Sequence, residues 1–450
     1  MTDVLLGADL GTSGLKLVAI DLSGAVVAEA EAGYAVERPR PGHAETDVRV
    51  WRRALDDTLG EVAPALATSR VRALGFSGLM HGVVLVDGEG AALRPALLWS
   101  DRRATAELAR WQALPEADRA ALANPIVPGM TGPMLAWLAR HEPELVARTA
   151  TVLLPKDALR ATLLPGGDPR VTDRSDASAT LLWDVVADGW SAAAVAAAGI
   201  PGELLPAVRP SADVVGTAAL PVGEVPVVIG GADTPLALLA AGGTGGVQIN
   251  LGTGAQLLRP GCVPAPVAEP RVHTYADATG GWYAMAALQN GGSAWSWVCD
   301  VLGMTWAELF EAAGTSSTGA GGVVFSPFLA GERGGVAGPD DRGGWTGLHP
   351  GTTRADLARA AVEGVVTAIG AAFGLLAVPA DGRPVVLTGG GGRSPLVQQL
   401  LADVLGRPVR HVRVRSASAV GAAVLAGRGI GLDVVPRWDA GPLLEPRGGA

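Results

Sequence analysis

Asp9 is followed by "LGTSGLK", and more than half the chain later Asn250 is followed by "LGTGAQL". Both segments leave a short apolar run and open into Leu-Gly-Thr plus small residues. Glycine at such a turn lets a bulky anion approach the main chain, where backbone N–H groups and a hydroxyl can hold it. Taken singly, Gly11-Thr12-Ser13 or Gly252-Thr253-Gly254 reads more readily as an ordinary hairpin turn with glycine at positive φ. Their recurrence at the start of each half points to a polyphosphate gripped from two sides. A carboxylate at Asp9 can hold Mg²⁺ through water, because Mg²⁺ keeps most of its hydration shell and takes one or two carboxylates. A second carboxylate at 250 would repel the phosphates, a physical reason for Asn there. Lys16 is either a point charge for the phosphates or a solvated strand residue.

Asp233 in "GGADTP" is the sharpest single residue. It follows a β-branched strand, two glycines and Ala232. Pro235 suits the first position of the next helix, which makes Thr234 the expected N-cap and leaves Asp233 free of capping. A carboxylate at the C-terminal end of a strand, beside phosphate turns, is where a base for a substrate hydroxyl would sit. His81, in "GLMHGVV", is either a packed core histidine or one beside a ligand on the open backbone of Gly78 and Gly82. The run "LTGGGGRSPL" fits Gly389-x-Gly391-x-x-Ser394 between a strand and a helix, with Arg410, Arg413 and Arg415 further on. That pattern supports a rival reading, an NADP-dependent oxidoreductase. The rival explains neither the paired turns nor Asp233, whereas glycine-rich backbone against an adenine or ribose fits all three. No role in sugar stacking is assigned to any of the twelve tryptophans.

These groups need strands that end together. Residues 3 to 30 read as two strands with turn chemistry at Ser23-Gly24, followed by an amphipathic helix over "VRVWRRALDDTLGEVAPAL" and a strand "VRALGFSG". The middle, from about Leu114 to Pro210, reads as mostly helical. "EVPVVIGGADTPLALLAAG" returns to strand, glycine turn and helix. The last third repeats the grammar, with a helix at Arg354 to Leu376, a strand "RPVVLTGGGG", a helix "SPLVQQLLADVLG" and a strand "PVRHVRV". This is an internal duplication, an α/β chain of two domains divided near residue 240: 1–240 and 241–450.

The net charge of −9 argues against nucleic acid and anionic membranes as partners. The longest apolar stretch, Gly364 to Ala380, falls short of the roughly 20 residues a bilayer needs and reads as a buried core helix. With no basic region before the first apolar run, and only Cys262 and Cys299, the expected compartment is the cytoplasm.

From Leu5 to Gly429 the chain resembles the FGGY family of carbohydrate kinases. The resemblance is carried in order by "GADLGTSGLK", "HAETD" with Trp51, "MHG", "LLWSDRRA", "DRSDASATLLWDV", "GGADT", "NLGTG", "HTYADATGGWYAM", "PFLAGERGG", "WTGLHPGTTRADLARAAVEGV" and "LTGGGGRSPLVQQLLADVLGRPV". It implies two ribonuclease-H-like domains of the actin and hexokinase superfamily, with ATP and Mg²⁺ in the cleft between them. A sugar hydroxyl would be phosphorylated with Asp233 as base. By position Gly11, Thr12, Ser13, Lys16, Gly252, Thr253, Gly254, Gly390 and Gly391 would face ATP, and Met80, His81 and Asp233 the sugar. Asp9 and Asp233 would face the metal. "MHG", "SDAS" and the last two segments most resemble the members that act on D-xylulose, giving D-xylulose 5-phosphate; gluconate or a polyol is the alternative acceptor. Leu79 stands where those members usually have Gln, Ser100 where they have Asn, and Met134 where they have Lys. Parts of "QNGGSAWSWV" look more like the members that act on gluconate. The expected partner is a small-molecule sugar, and a homodimer is admitted.

Overall fold

The computed structural model describes residues 1–165, 167, 170–242, 246–332 and 335–447; Arg333 and Gly334 of "PFLAGERGG" lie outside them. The elements that position the site are, in the first half, β1 (Thr2–Leu10), β2 (Gly14–Asp21), β3 (Val26–Gly33), α1 (Val48–Val62), β4 (Ser69–Gly78), α2 (Pro155–Ala161), β5 (Val171–Asp173), α3 (Arg174–Ala177), β6 (Val214–Leu220), β7 (Gly223–Val228), β8 (Gly231–Ala232) and α4 (Asp233–Ala240). In the second half they are β9 (Gln248–Leu251), β10 (Ala255–Pro260), β11 (His273–Ala276), β12 (Trp282–Leu288), α5 (Gly292–Leu302), α6 (Arg354–Leu375), β13 (Val385–Thr388), α7 (Pro395–Leu405), β14 (Val409–Arg413), α8 (Ala417–Gly429) and β15 (Asp439–Leu444).

Two seven-stranded sheets result. The first runs β6-β7-β4-β1-β2-β3, with β8 alongside β4, and the second β11-β12-β10-β9-β13-β14-β15. In both, an opening strand pairs antiparallel with its hairpin partner and parallel with a strand on its other side: β1 with β2 and β4, β9 with β10 and β13. The sequence duplication is therefore a duplication of topology. Residues 3 to 30 form three strands rather than two, because the turn at Ser23-Gly24, with Gly24 at φ +81°, breaks the second run and reverses the chain.

β1 sits between β2 and β4 and is buried on both faces from Val4 to Ala8, as expected of an apolar run inside a layered sheet. Leu6 and Ala8 pack towards α1, in a core with Trp51 and Leu55. Leu5 packs on the opposite face, against Val420 and Val424 of α8. α8 lies in backbone contact with this sheet: a Cβ on Gly7 would meet the Ala419 carbonyl oxygen at 1.9 Å, and one on Gly75 the Ala422 carbonyl oxygen at 2.1 Å. A third core joins the helical middle of the chain to the second sheet, bringing Met80, Trp111 and Met134 together with Tyr275, Tyr283 and Met285.

α6, 22 residues with a mean hydropathy of 1.4 over its most apolar window, is long and apolar enough to cross a bilayer. Here it is a core helix, with Val362, Val365, Val366 and Ile369 buried in the second core and Arg359 bonded to Glu363.

Because the neighbour at Gly75 is backbone, it cannot swing aside. Gly75→Val should destabilise the protein by about 3 kcal/mol or more and lower Tm by several degrees. A calorimetric Tm equal to that of the unsubstituted protein would refute this contact.

Candidate active site

The two glycine turns are built alike. In the first, the Gly11 N–H donates to the Gly14 carbonyl at 2.9 Å, and the Tyr34 hydroxyl donates to the Gly11 carbonyl at 2.6 Å. In the second, the Gly252 N–H donates to the Gly254 carbonyl at 2.9 Å, and the start of α5 pins the turn through the Gly292 N–H on Gly252 O, also at 2.9 Å. Asp9 pairs across the ladder with Lys16, and Asn250 with Gln256. A charged cross-strand pair in one half thus stands where the other half has a neutral one.

A cleft of about 470 Å³ lies between the turns. Thr12, Leu79, Met80, His81, Trp99 and Asp233 line it from one side, and Asn250, Gly252, Thr253, Gly254, Gln256 and Gln289 from the other, with His273 and Tyr275 beside them. None of the described residues lining it is Lys or Arg. A second cavity of about 480 Å³, on another face of α4 near Arg259 and Arg407, contains none of the candidate residues.

Strand register brings the carboxylates together. β4 pairs with β1 through Ser77 and Asp9, and with β8 through Ser77 and Gly231, so Asp9 and the residues before Asp233 flank one strand. The Ser77 hydroxyl donates to Asp9 Oδ1 at 2.7 Å. Burial raises the Asp9 pKa, opposed by the Ser77 bond and by Lys16. Burial, and then the charge of Asp9, push Asp233 up to about 7, against the lowering effect of Thr234. Thr234 is not the N-cap: α4 begins at Asp233 with Ala232 as its cap, and Asp233 Oδ1 itself accepts the Thr234 N–H at 2.6 Å. Two poorly solvated carboxylates with raised pKa values suit a divalent cation that would neutralise them. Among the described residues no cluster of three or more His, Cys, Asp or Glu forms a closed metal cage, so the arrangement fits an ion that keeps water and phosphate ligands.

His81 has φ +73°, an uncommon conformation for a residue with a side chain. Its carbonyl accepts the Thr131 hydroxyl at 2.7 Å, and its ring Nδ1 lies 2.5 Å from the Ala179 carbonyl. Only an N–H can pair with that carbonyl, so Nδ1 carries the proton and Nε2 keeps its lone pair. Burial, partly offset by the Ala179 bond, lowers the pKa to about 4, and the ring is neutral at pH 7. Met80 is buried beneath, with the Tyr283 hydroxyl 3.9 Å from its sulfur.

The remaining candidates spread outward. Lys16 lies near Asp9, but its ammonium group is half-exposed, 3.8 Å from Glu31. Ser13 is exposed beyond Thr12. Gly390 and Gly391 form a turn beside the second hairpin: a Cβ on Gly391 would press on Leu251 at 2.8 Å, whereas Gly390 faces open space. Arg413 lies 3.7 Å from Asp439 and Arg415 3.3 Å from Glu29, both as exposed surface pairs. Leu79 lines the cleft, Met134 is buried in the third core, and the buried Ser100 hydroxyl has no partner. Residue-level reading missed Trp99, His273, Tyr275, Gln256 and Gln289. Trp99, 42% exposed, donates its indole N–H to the Thr12 hydroxyl at 2.9 Å. Its only signal was its place in "LLWSDRRA".

The raised Asp233 pKa sets two expectations. In the metal-free protein the Asp233 carboxyl should titrate near 7, followed by NMR of its side-chain carboxyl carbon against pH; a midpoint near 4 would contradict the burial effect. For stability, the folded state holds this proton more tightly than the unfolded one, whose Asp titrates at about 3.9. The contribution is therefore present below pH 4 and lost as pH rises to about 7. Asp233→Asn should have a Tm a few degrees above wild type at pH 8 and nearly equal to it at pH 4, read by thermal melts at both.

The family model for the N-terminal domain of FGGY carbohydrate kinases matches residues 4–240, and the one for the C-terminal domain residues 247–430. The chain is 33% identical to the xylulose kinase of Escherichia coli strain K12 over 439 residues, covering 94% of this chain and 88% of that one. It superposes on the crystal structure of a xyloylose kinase from Brucella ovis with a TM-score of 0.90 at 31% identity, covering 99% and 95% of the two chains. A gluconate kinase from Lactobacillus acidophilus has the same TM-score at 20% identity and attests the shared fold, covering 99% and 94%. The chain is accordingly a carbohydrate kinase that uses ATP with Mg²⁺, not an oxidoreductase, and it belongs to the FGGY family.

Proposed function

We propose that the acceptor is D-xylulose, converted to D-xylulose 5-phosphate, and that Asp233 is the base. The observation that carries the acceptor is the composition of the cleft: its described lining holds no Lys or Arg, and the His81 ring within it is uncharged. Such a site suits a neutral sugar. A gluconate carboxylate would add a further negative charge beside Asp233 and a triphosphate, and the described lining offers no Lys or Arg to bind it. The similarity to xylulose kinases supports the same acceptor.

In this reading the unit 1–240 supplies the sugar site and the first phosphate turn, and the unit 241–450 the ATP side. Gly11, Thr12, Ser13 and Lys16 face the phosphates from one side and Gly252, Thr253 and Gly254 from the other, with Gly390 and Gly391 towards the rest of the nucleotide. Asp9 and Asp233 face the Mg²⁺, which neutralises phosphate charge when bound. Met80 and His81 hold the sugar, with His81 Nε2 accepting a hydrogen bond from one of its hydroxyls. The acceptor oxygen forms its bond to the γ-phosphorus as the bond to the bridging oxygen of ADP breaks, and the hydroxyl proton passes to Asp233. A loose transition state lets that proton leave late, so a carboxylate is basic enough. The two buried, free cysteines fit a reducing cytoplasm.

Coupled ADP-release assays across D-xylulose, other ketopentoses, gluconate, glycerol and polyols test the acceptor. D-xylulose should give the highest kcat/KM and glycerol a poor one. Gluconate or a polyol exceeding it about tenfold would move the assignment and mark Leu79, Ser100 and Met134 as specificity residues. Asp233→Asn should abolish sugar-dependent ADP release with ATP binding nearly intact; retained turnover would remove it as base. His81→Ala should lower kcat/KM for D-xylulose about tenfold, about 1.4 kcal/mol for one lost hydrogen bond.

A further inference from the structure

Behind the cleft lies a group of charges that phosphoryl transfer does not itself use. The Lys156 ammonium is 2.8 Å from Asp157, 3.0 Å from Asp173 and 3.0 Å from Asp176, and all four side chains are buried. Arg160 bonds Asp157 at 2.7 Å and donates to the carbonyls of Ile229 and Val171. Three carboxylates face two cations. Burial, outweighing the pull of Lys156, pushes the Asp176 carboxyl well above its ordinary value. Burial alone would raise Asp173 as well, but Lys156 and the hydroxyls of Ser175 and Ser211 hold it below its ordinary value.

A buried ion group is weak evidence for stability on its own. This one ends on the candidate base. Asp173 Oδ2 accepts the Ser175 hydroxyl at 2.5 Å and the Ser211 hydroxyl at 2.8 Å. Ser175 Oγ, its single proton directed at Asp173, accepts the Ala232 N–H at 2.9 Å. Ala232 is fully buried and is the residue before Asp233. One edge of β8 is thus tied to β4 by the ladder, and Ala232 to Ser175 by a side chain whose direction is set by the ionised Asp173.

We propose that Ser175 is a positioning residue for phosphoryl transfer: through the Ala232 N–H it fixes β8 so that the Asp233 carboxylate meets the acceptor hydroxyl. The proposal rests on Asp233 being the base. A base displaced by a fraction of an ångström loses turnover more than binding, since the substrate is held mainly by other groups. The charges of Lys156 and Asp173 act through the serine rather than on the substrate.

The test compares Ser175→Ala with Thr172→Val, which removes another hydroxyl bond of the same ion group, to Asp157 at 2.6 Å, without touching Ala232. Ser175→Ala should lower kcat for the best sugar about tenfold while the KM values for sugar and ATP stay within about twofold. Thr172→Val should lower Tm and leave kcat within about twofold. If Ser175→Ala is insoluble, Ser175→Cys, of similar volume but with a weak acceptor, carries the same expectation. Asp233→Asn is measured alongside. If it is active, the base reading fails by itself and takes the routing through Asp233 with it. If it is inactive, an unchanged kcat in the Ser175 variant, a loss seen in KM instead, or an equal fall in Thr172→Val would overturn the proposal and leave the base reading standing.

Discussion

Two poorly solvated carboxylates held near one another repel, Asp233 in the lining of the cleft and Asp9 close enough to raise its pKa, and a flexible scaffold would let them part. Asp9 and Asp233 stay together because each is tied to one central strand, β4, by backbone register: Asp9 through β1 and Asp233 through β8. That strand cannot yield, since Gly75 lies against the backbone of α8. The close packing of α8 on the sheet is thus a condition for the electrostatics of the cleft. It also explains why a helix from the end of the chain is made of alanine, valine and glycine on the side that meets β1 and β4. Burial first, and then the repulsion that the scaffold contains, push the Asp233 pKa up to about 7, where a carboxylate can both accept and release a proton.

The duplication shows how one topology serves two electrical tasks. Both halves present a glycine turn between antiparallel strands and flank it with a parallel strand. Asp9 and Lys16 place opposite charges across the first ladder, while Asn250 and Gln256 keep the second neutral. A polyphosphate between two acidic turns would be repelled from both sides, so divergence at these positions preserves a shared backbone while dividing the labour. The proposed sugar side would rely instead on neutral groups. His81, held by Ala179 and Thr131 in a left-handed conformation, offers a lone pair rather than a positive charge.

Much of this was legible in the residues because the signals are local. Leu-Gly-Thr twice, a strand ending in Gly-Gly-Ala-Asp, and strands alternating with helices identify the turns, the candidate base and the α/β class. The misreadings were local too. A turn at Ser23-Gly24 divides what looked like one strand, and the helix after the candidate base begins at Asp233 rather than after Thr234, because the Asp233 carboxylate itself accepts the first free N–H.

The sequence by itself determined which groups are present and the local conformations they favour, because hydrophobic periodicity, glycine and proline act over a few residues. Only the tertiary structure decided which groups meet. Trp99 reaches Thr12 across 87 positions, Ser175 reaches Ala232 across 57 and Ser77 reaches Asp9 across 68. It also decided the protonation states, since the Asp233 and His81 pKa values follow from burial and from charges and carbonyls contributed by distant segments. Desolvation and Coulomb interactions depend on distance through space, which the order of residues along the chain does not specify.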